Sequence, residues 1–351
     1  MRLLVVNAGS TSIKTAVFDA DLTQIAAVDA VEIGGAARLT GDVSRAAPLS
    51  DHAAALSAIL DALAECGLPP EGFAAAGHRV VHGGEALTRP TLVAAEVRAA
   101  IADQIPLAPL HNPVNLAGID ALARRLPELP QVACFDTAFH AGQQRVATAY
   151  AVAPDIAAMG IRRYGFHGLS YAGLVQAIDP LPPRLLACHL GGGASLCAIR
   201  DGRSVDTTMG YSPLSGLPMA SRTGDIDGNA VLRLAEEMGL DAAAEALNRR
   251  SGLKGLGGTS DMRALLADPG PDAQFAVAHY CYWAIRHAGA MIAVLGGLDA
   301  IAFTGGIGEN AAPIRTAILD GLAWAGEVPI HIVAADEERQ IARETLAVLR
   351  G

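Results

Sequence analysis

A seventeen-residue pattern occurs twice in this chain, and it constrains the fold more than any other feature. The stretch "LLVVNAGSTSIKTAVFD" at 3–19 aligns without a gap with "LLACHLGGGASLCAIRD" at 185–201. Each copy has an apolar run, a polar residue, a glycine-containing turn and a second apolar strand that ends at Asp. Gly9 and Gly191 occupy the same place in the two turns. Two unrelated glycine-rich hairpins are the alternative, but the gapless match favours a duplicated β-hairpin, one copy in each of two domains.

Such a duplication is typical of two-domain ATPases that bind nucleotide in the cleft between similar domains. We therefore predict an α/β protein with the duplicated actin-like, sugar-kinase-like (ribonuclease H-like) fold and an inter-domain cleft. The N-terminal actin-like domain is expected over 1–144, with the C-terminal helix 338–351 packing back on it. The C-terminal, nucleotide-binding actin-like domain is expected over 145–337.

Composition and charge exclude several classes of protein. The net charge of −10 argues against nucleic acid or an anionic membrane as the main partner. The five cysteines show no C-x-x-C spacing, which is typical of a reducing compartment. The N-terminus lacks the features of a signal peptide, and no run of eighteen apolar residues is uninterrupted by charge. We expect a cytoplasmic protein with small-molecule partners.

The first turn has the features of a phosphate site. The stretch "VVNAGSTSIK" offers backbone N–H groups at a glycine turn, a local arrangement that binds anions. Lys14 adds a positive charge, and Asn7, Ser10 and Ser12 add neutral donors. The sequence is not a Walker A loop, because G-x-x-x-x-G-K-[ST] is absent.

Two arginines lie in apolar or glycine-rich loops, Arg79 in "GHRVVHGGE" and Arg222 in "MASRTGDIDG". An arginine in such a setting usually binds a planar anion. The alternative is a structural ion pair with a nearby acid, and for Arg222 both Asp225 and Asp227 are close in sequence.

Histidines are concentrated in the same loops, but their spacing does not indicate zinc. There is no H-E-x-x-H and no cysteine partner in register. We interpret His111 and His167 as phosphate-contacting residues, and His78 and His140 as core or loop-bracing residues.

Two acids are candidates for a magnesium site, Asp136 in "CFDTAFH" and Glu337 in "AADEERQIA". Magnesium in phosphoryl transfer is commonly held by one or two carboxylates together with phosphate and water. For Glu337 the alternative is an acid in the first turn of a surface helix. The stretch "FTGGIGENA" lacks the G-x-G-x-x-G spacing of a dinucleotide fingerprint, so we interpret it as a glycine surface for adenine.

Ten motifs in order, over essentially the whole chain, resemble the acetate kinase family: "NAGSTSIK", "HRVVHGG", "PLHNP", "FDTAFH", "YGFHG", "HLGGGAS", "DTTMGYSPLSGLPMASRTGDID", "SDMR", "FTGGIGEN" and "ADEERQIARET". Propionate kinases share most of them. The resemblance implies the reaction ATP + acetate ⇌ ADP + acetyl phosphate, a homodimer, and Mg²⁺ or Mn²⁺ as the cofactor. It also implies a role for each matching residue.

The catalytic set implied by the resemblance is Arg79, Arg222, His167, Asp136 and His111. The acyl-binding set, which shares Arg79, adds Val81, Leu110, Phe166 and Pro213. The nucleotide and phosphate set is Asn7, Ser10, Ser12, Lys14, His189, Gly191, Gly192, Gly193, Asp261, Met262, Arg263, Gly306, Ile307, Gly308 and Asn310. The metal set is Asn7, Asp136 and Glu337.

One departure from the family pattern bears on the phosphoryl donor. The second hairpin reads "HLGGG" where the family usually has "HLGNG", so Gly192 lacks a side-chain amide. The sequence therefore leaves open a kinase that uses a donor other than ATP. It also leaves open a preference for propionate or butyrate, and a non-catalytic actin-like nucleotide switch.

Overall fold

Two β-sheets with flanking helices make up the computed structural model, which describes residues 1–351. One sheet has eight strands and the other has five. They belong to different units of the chain. Unit 1 consists of Met1–Ala141 together with Asp336–Gly351, and unit 2 consists of Gly142–Ala335.

The strands, in chain order, are β1 Leu3–Ala8, β2 Ser12–Phe18, β3 Gln24–Val31, β4 Arg38–Gly41, β5 Arg45–Ala46, β6 Ala75–Val80, β7 Thr91–Leu92, β8 Gln131–Phe135, β9 Arg184–Leu190, β10 Ala194–Arg200, β11 Arg203–Thr207, β12 Ala300–Thr304 and β13 Ile330–Ile332.

The helices are α1 His52–Glu65, α2 Ala95–Asp103, α3 Asn112–Arg125, α4 Arg145–Thr148, α5 Pro154–Ala157, α6 Gly168–Ala177, α7 Gly228–Met238, α8 Leu240–Arg249, α9 Gly252–Gly257, α10 Met262–Ala267, α11 Pro271–Leu295, α12 Gly305–Asn310, α13 Ala312–Gly321 and α14 Glu337–Arg350, with short 3-10 turns at Pro70–Gly72, Ala138–His140 and Ala323–Ala325. None of them combines the length and the hydropathy needed to cross a bilayer.

The two sheets have the same central topology. The sheet of unit 1 has the order β5-β4-β3-β2-β1-β6-β8-β7, and that of unit 2 has the order β11-β10-β9-β12-β13. In both, an antiparallel hairpin (β1/β2 or β9/β10) is followed by two parallel strands (β6 and β8, or β12 and β13). The predicted duplication is therefore confirmed, and the repeated sequence pattern corresponds to the two hairpins.

Aliphatic side chains fill the cores, as the low aromatic content of 4% requires. In unit 1, α1 begins at an Asp51 N-cap, whose side chain accepts a hydrogen bond from the Ala54 N–H at 2.9 Å. The buried face of α1, which includes Leu56, Ile59 and Leu63, packs on the strand residues Leu4 and Val6. This packing covers one face of the central strands and leaves the other face for α14.

The last helix, α14, packs closely on β6 because Gly77 has no side chain. A Cβ atom at Gly77 would collide with Thr345 Oγ1 and would lie 2.7 Å from Ile341 Cγ2. Cys134, on the neighbouring strand β8, places its sulfur 3.9 Å from the Ile341 carbonyl oxygen. This close approach fixes the start of α14, where Glu337 and Glu338 lie, relative to the strand ends of unit 1.

Candidate functional site

Three polar residues of unit 1 meet at one edge of the sheet because β1, β6 and β8 are adjacent and parallel. Asn7 lies near the carboxyl end of β1, Arg79 near that of β6, and Asp136 directly after β8. In open α/β sheets, ligands bind outside the carboxyl ends of parallel strands. Strand order therefore brings together residues that are up to 129 positions apart in sequence, 136 − 7.

Arg79 is held by hydrogen bonds to both of these neighbours. Its Nη2 and Nε donate to Asp136 Oδ2 at 2.7 and 3.1 Å, and its Nη1 donates to Asn7 Oδ1 at 3.3 Å. The Asp136 side chain is only 2% exposed, whereas that of Arg79 is 23% exposed. The ion pair that the sequence left as an alternative is thus present, and the guanidinium remains partly accessible.

The first turn of α14 adds two further acids to this cluster. Asp336 caps the helix by accepting a hydrogen bond from the Arg339 N–H at 3.0 Å. Glu337 Oε2 then lies 3.9 Å from Arg79 Nε, and Glu338 Oε1 accepts a hydrogen bond from Asn7 Nδ2 at 3.1 Å. The predicted metal set of Asn7, Asp136 and Glu337 therefore surrounds Arg79, together with Glu338.

Negative charge exceeds positive charge around Arg79. Burial lowers the pKa of Arg79, but the charges of Asp136, Glu337 and Glu338 outweigh burial and raise it above its usual value. One cation thus faces three carboxylates. No group of three His, Cys, Asp or Glu side chains is arranged to hold a metal ion alone. The donor set fits a divalent cation that takes one or two carboxylates and completes its shell with phosphate oxygens and water.

The first hairpin turn, Gly9–Thr11, lies beside this cluster. Asn7 and Lys14 are direct cross-strand partners, so their side chains lie on the same face of the sheet. Ser10 and Lys14 are exposed, and Ser12 is half-buried. The Gly9 N–H donates to the Ser12 carbonyl at 2.8 Å and closes the turn. The predicted phosphate loop thus has its charged and hydroxyl side chains accessible to a ligand.

The segment that follows Arg79 is held by asparagines from α3. Val81 N–H donates to Asn115 Oδ1 and His82 N–H donates to Asn112 Oδ1, both at 3.1 Å. Val81 is buried, and Leu110, just before α3, is 43% exposed. His111 is the N-cap residue of α3 and is half-buried. Of the predicted acyl set, Val81 and Leu110 belong to unit 1.

In unit 2, two histidines pack beside the second glycine turn. The rings of His167 and His189 are stacked, with centroids 4.1 Å apart and an interplanar angle of 24°. A Cβ atom at Gly193 would lie 3.0 Å from His167 Nε2 and 3.9 Å from Arg222 Nη1. His167, Arg222 and the turn Gly191–Gly193 are therefore brought together, as the predicted roles require.

Arg222 lies on a loop that is tied to the same turn. The Ala220 N–H donates to the Gly192 carbonyl at 3.2 Å, and Arg222 Nη1 donates to the Pro213 carbonyl at 3.1 Å. Asp225 accepts a hydrogen bond from the Gly216 N–H at 2.7 Å, and Asp227 caps α7. Both acids therefore accept hydrogen bonds from backbone N–H groups.

The remaining predicted residues of unit 2 differ in burial. Phe166 is buried and Pro213 is half-buried. Gly306, at the start of α12, is near the glycine turn, because its N atom would lie 3.7 Å from a Cβ at Gly191. Asn310 Nδ2 donates to the Gly306 carbonyl at 3.0 Å within α12. Ile307 is half-buried and Gly308 is buried in the same helix.

The "SDMR" motif forms the start of α10. Asp261 caps this helix and pairs with Arg263 Nη2 at 2.9 Å, while Met262 is buried. The Arg263 side chain is 89% exposed. The hydrogen bonds of Asp261 and Arg263 are with each other and with their own turn, as those of Asn310 are within α12.

Sequence reasoning gave no role to the residues that hold the functional side chains in place. Asn112 lies in the "PLHNP" motif, and Asn115 lies three residues further along the chain. On a helix this spacing places both side chains on the same face. Ser195 and Tyr171, which contact each other and reach His167, had no signal that separates them from ordinary strand and helix residues.

The model of the acetokinase family matches residues 2–345. The chain belongs to the acetokinase family. It is therefore a kinase, and its duplicated sheets form the actin-like, sugar-kinase-like α/β fold that the sequence predicted.

Similar proteins cover the chain almost completely. The acetate kinase of Nitrobacter hamburgensis is 42% identical over 99% of this chain and 96% of its own length. The crystal structure of a propionate kinase from Francisella tularensis has a TM-score of 0.93 and 32% identity, covering 98% of each chain. That of the Porphyromonas gingivalis acetate kinase has a TM-score of 0.89 and 32% identity, covering 99% of each chain.

Proposed function

We propose that this chain catalyses the reversible transfer of a phosphoryl group from ATP to acetate, which gives acetyl phosphate and ADP. The observation that carries the proposal is the Arg79 cluster of unit 1. An arginine fixed by Asp136 and Asn7 and partly exposed beside a phosphate-loop hairpin is suited to holding an anionic acceptor. Family membership supports the same reaction.

The chemistry requires no general base. A carboxylic acid has a pKa of about 4 to 5, so acetate is already the nucleophile at neutral pH. One carboxylate oxygen attacks the γ-phosphorus, the bond from phosphorus to the bridging oxygen breaks, and ADP leaves with its electron pair. No proton is transferred. The barrier is the approach of an anion to a polyanion, so fixed cations and donors are the appropriate catalysts.

Residues of each unit are assigned a role in the proposal. In the proposal, Arg79 holds the acetate carboxylate, while Asn7, Ser10, Ser12 and Lys14 provide phosphate donors on the first hairpin. In unit 2, Arg222, His167 and the N–H groups of Gly191–Gly193 contact the transferring phosphoryl group. His111 is proposed as a further phosphate contact. Arginine suits this role because its planar guanidinium donates to two oxygens at once.

Magnesium is the divalent ion that we propose for this reaction. Asp136 and Glu337, with Asn7, would hold it directly or through water, and it would neutralise charge on the phosphate oxygens when bound. The excess of carboxylates around Arg79 supports a cation at this place. The adenosine moiety is assigned to Gly306, Ile307, Gly308 and Asn310, with Asp261, Met262 and Arg263 as the second group.

Propionate is the second candidate substrate. The propionate kinase of Francisella tularensis has the higher of the two TM-scores reported above, 0.93. One additional methylene changes binding in an apolar pocket by only about 1–3 kcal/mol. Val81, Leu110, Phe166 and Pro213 are the residues on which we expect this selectivity to depend.

The proposal is tested by trapping acyl phosphate with hydroxylamine. Purified protein is incubated with Mg-ATP and one of acetate, propionate, butyrate or formate, and hydroxamate and ADP are measured. We expect the highest kcat/KM with acetate. A higher kcat/KM with a longer acid would change the proposed substrate but not the proposed mechanism. If no acid reacts with ATP, replacing ATP by pyrophosphate tests a different donor.

A cytoplasmic homodimer is the assembly that we propose. All five cysteines are free thiols, which is consistent with a reducing compartment. The dimer is expected from the family alone, and light scattering would test it.

A further inference from the structure

The two stacked histidines of unit 2 are held in the same way by serine hydroxyls. His167 Nδ1 lies 2.8 Å from Ser195 Oγ, and His189 Nδ1 lies 2.8 Å from Ser170 Oγ. Ser195 and Ser170 are both buried. The Nδ1 atom of each ring is therefore used for positioning, and the ring orientation is fixed by a contact inside the unit.

The opposite nitrogen of each ring faces the glycine turn. His167 Nε2 would lie 3.0 Å from a Cβ at Gly193, and His189 Nε2 would lie 3.8 Å from a Cβ at Gly191. Because Nε2 points to the turn where we place the phosphoryl group, the tautomer of His167 decides whether this atom donates or accepts a hydrogen bond.

The backbone of His167 is also constrained. Its φ angle is +60°, in the left-handed region that non-glycine residues rarely adopt, and it immediately precedes α6. Such a conformation is strained and persists only when the surrounding structure holds it. The Ser195 contact is one of the interactions that hold this residue.

A second hydroxyl group, that of Tyr171, contacts Ser195. Tyr171 is completely buried, and its hydroxyl oxygen lies 2.6 Å from Ser195 Oγ. Burial raises the pKa of Tyr171 well above its usual value, so the phenol keeps its proton. Of the two hydroxyls, either of which could donate in the 2.6 Å contact, the phenol is the more acidic, so we assign Tyr171 as the donor and Ser195 Oγ as the acceptor.

The direction of the hydrogen bond between Ser195 and His167 follows from that of the bond between Tyr171 and Ser195. When Ser195 Oγ accepts the Tyr171 proton, its own hydroxyl proton is directed to His167 Nδ1. An imidazole that accepts at Nδ1 is neutral and carries its proton on Nε2. We propose that Tyr171 and Ser195 are positioning residues that fix His167 as the Nε2–H tautomer, so that it donates a hydrogen bond to a phosphoryl oxygen at the Gly191–Gly193 turn. The identity of that ligand rests on the proposed function.

The tautomer itself is measured without any substrate. Proton–nitrogen correlation NMR on histidine-labelled protein separates the Nε2–H, Nδ1–H and doubly protonated forms, and the His167→Gln variant assigns the His167 signals among the ten histidines. We expect the Nε2–H pattern in the wild-type protein. In Tyr171→Phe and Ser195→Ala we expect a mixture of both neutral tautomers. A wild-type Nδ1–H pattern would overturn the proposal.

The chain offers a matched control for each variant. Tyr280 is the other fully buried tyrosine of unit 2, and its hydroxyl has no hydrogen-bond partner, so Tyr280→Phe controls for loss of a buried phenol. Ser204 is a buried serine on the neighbouring strand β11 that bonds to Gln143, so Ser204→Ala controls for loss of a buried hydroxyl. We expect the His167 pattern to be unchanged in both controls.

Turnover provides the second readout. We expect kcat to fall about tenfold in Tyr171→Phe and about 10- to 100-fold in Ser195→Ala, the usual effect of removing a group that orients a ligand-binding histidine. KM for acetate and for ATP should change by less than about threefold. Wild-type NMR patterns and wild-type kcat in both variants would refute the positioning role. If no acid is phosphorylated at all, the proposed function fails, and the NMR result still decides the tautomer.

Discussion

Arg79 and Asp136 form a buried ion pair in which one carboxylate oxygen, Asp136 Oδ2, accepts from both Nη2 at 2.7 Å and Nε at 3.1 Å. The carboxylate is almost fully enclosed, while the guanidinium retains access to ligand. Asp136 thus fixes the orientation of Arg79 and leaves its remaining donor directions for Asn7 and for an anionic substrate.

Arg79→Ala is expected to lower kcat with acetate by about 10²–10³, the scale of losing one preorganised donor. It should also lower the free energy of unfolding by about 3 kcal/mol, because Asp136 stays buried without its partner. Arg79→Lys keeps the positive charge but loses the planar set of guanidinium donors. It should therefore restore the free energy of unfolding more fully than kcat. Hydroxamate assays and urea unfolding measure the two effects. Near-normal turnover in the alanine variant would remove Arg79 from the mechanism.

Arg222→Ala is expected to lower kcat by a similar factor of about 10²–10³ with a much smaller loss of stability. Arg222 donates to the Pro213 carbonyl at 3.1 Å, and the loss of such a neutral-acceptor hydrogen bond lowers the free energy of unfolding by about 1 kcal/mol. Hydroxamate assays and urea unfolding again measure the two effects. A stability loss as large as that of Arg79→Ala would show that Arg222 has mainly a structural role.

Adjacent glycines of the second turn are expected to respond differently to alanine. A Cβ at Gly192 meets nothing within 4 Å, whereas a Cβ at Gly193 would lie 3.0 Å from His167 Nε2. Gly193→Ala should therefore displace His167 and lower kcat at least about tenfold, by analogy with other groups that orient a reacting histidine. Gly192→Ala is the matched control and should leave kcat near the wild-type value. Equal effects would contradict the placement of His167.

Gly192→Asn, which restores the usual family residue, is expected to strengthen ATP binding. The side chain has open space and the backbone needs no glycine conformation there. One additional hydrogen bond of about 0.5–1.5 kcal/mol corresponds to a KM for ATP that is about 2- to 10-fold lower. The free energy of unfolding should change by less than about 0.5 kcal/mol. An unchanged KM would mean that the missing amide does not affect donor binding.

Acid should destabilise unit 1 through His78. Burial lowers the pKa of His78 to about 4, whereas the unfolded chain has the ordinary value of 6.5. Between these two pH values the unfolded state binds more protons, so the free energy of unfolding falls as pH falls, by up to about 2 kcal/mol at pH 5 for this residue. His78→Gln should flatten this dependence. His331→Gln, on the edge strand β13 of unit 2, is the control. Equal slopes for wild type and His78→Gln would contradict this account.

The fold was predictable because both sheets are built around the same local pattern. Four apolar residues, a polar residue and a glycine turn indicate a hairpin from local sequence alone, and finding the pattern twice indicates duplication. The parallel strands β6 and β8 are short and lie far from β1 in sequence, so their order in the sheet was available only through the family resemblance.

The sequence indicated the individual residues of the candidate site better than it indicated their arrangement in space. The motifs named Asn7, Arg79, Asp136 and Glu337, but nothing local indicates that Gly77 lets α14 approach β6 closely enough to bring Glu337 to Arg79. Similarly, Tyr171 and Ser195 lie 24 positions apart, and only the packing of α6 on β9 and β10 brings their hydroxyls into contact.

The most direct test of the central claim is phosphorus NMR of the protein with Mg²⁺, ADP and acetyl phosphate. The account predicts that the acetyl phosphate signal is replaced by that of the γ-phosphate of ATP, with no accumulation of inorganic phosphate, and that Arg79→Ala and Arg222→Ala slow this conversion by about 10²–10³. Hydrolysis of acetyl phosphate to inorganic phosphate without formation of ATP, or equal rates in all three proteins, would contradict it.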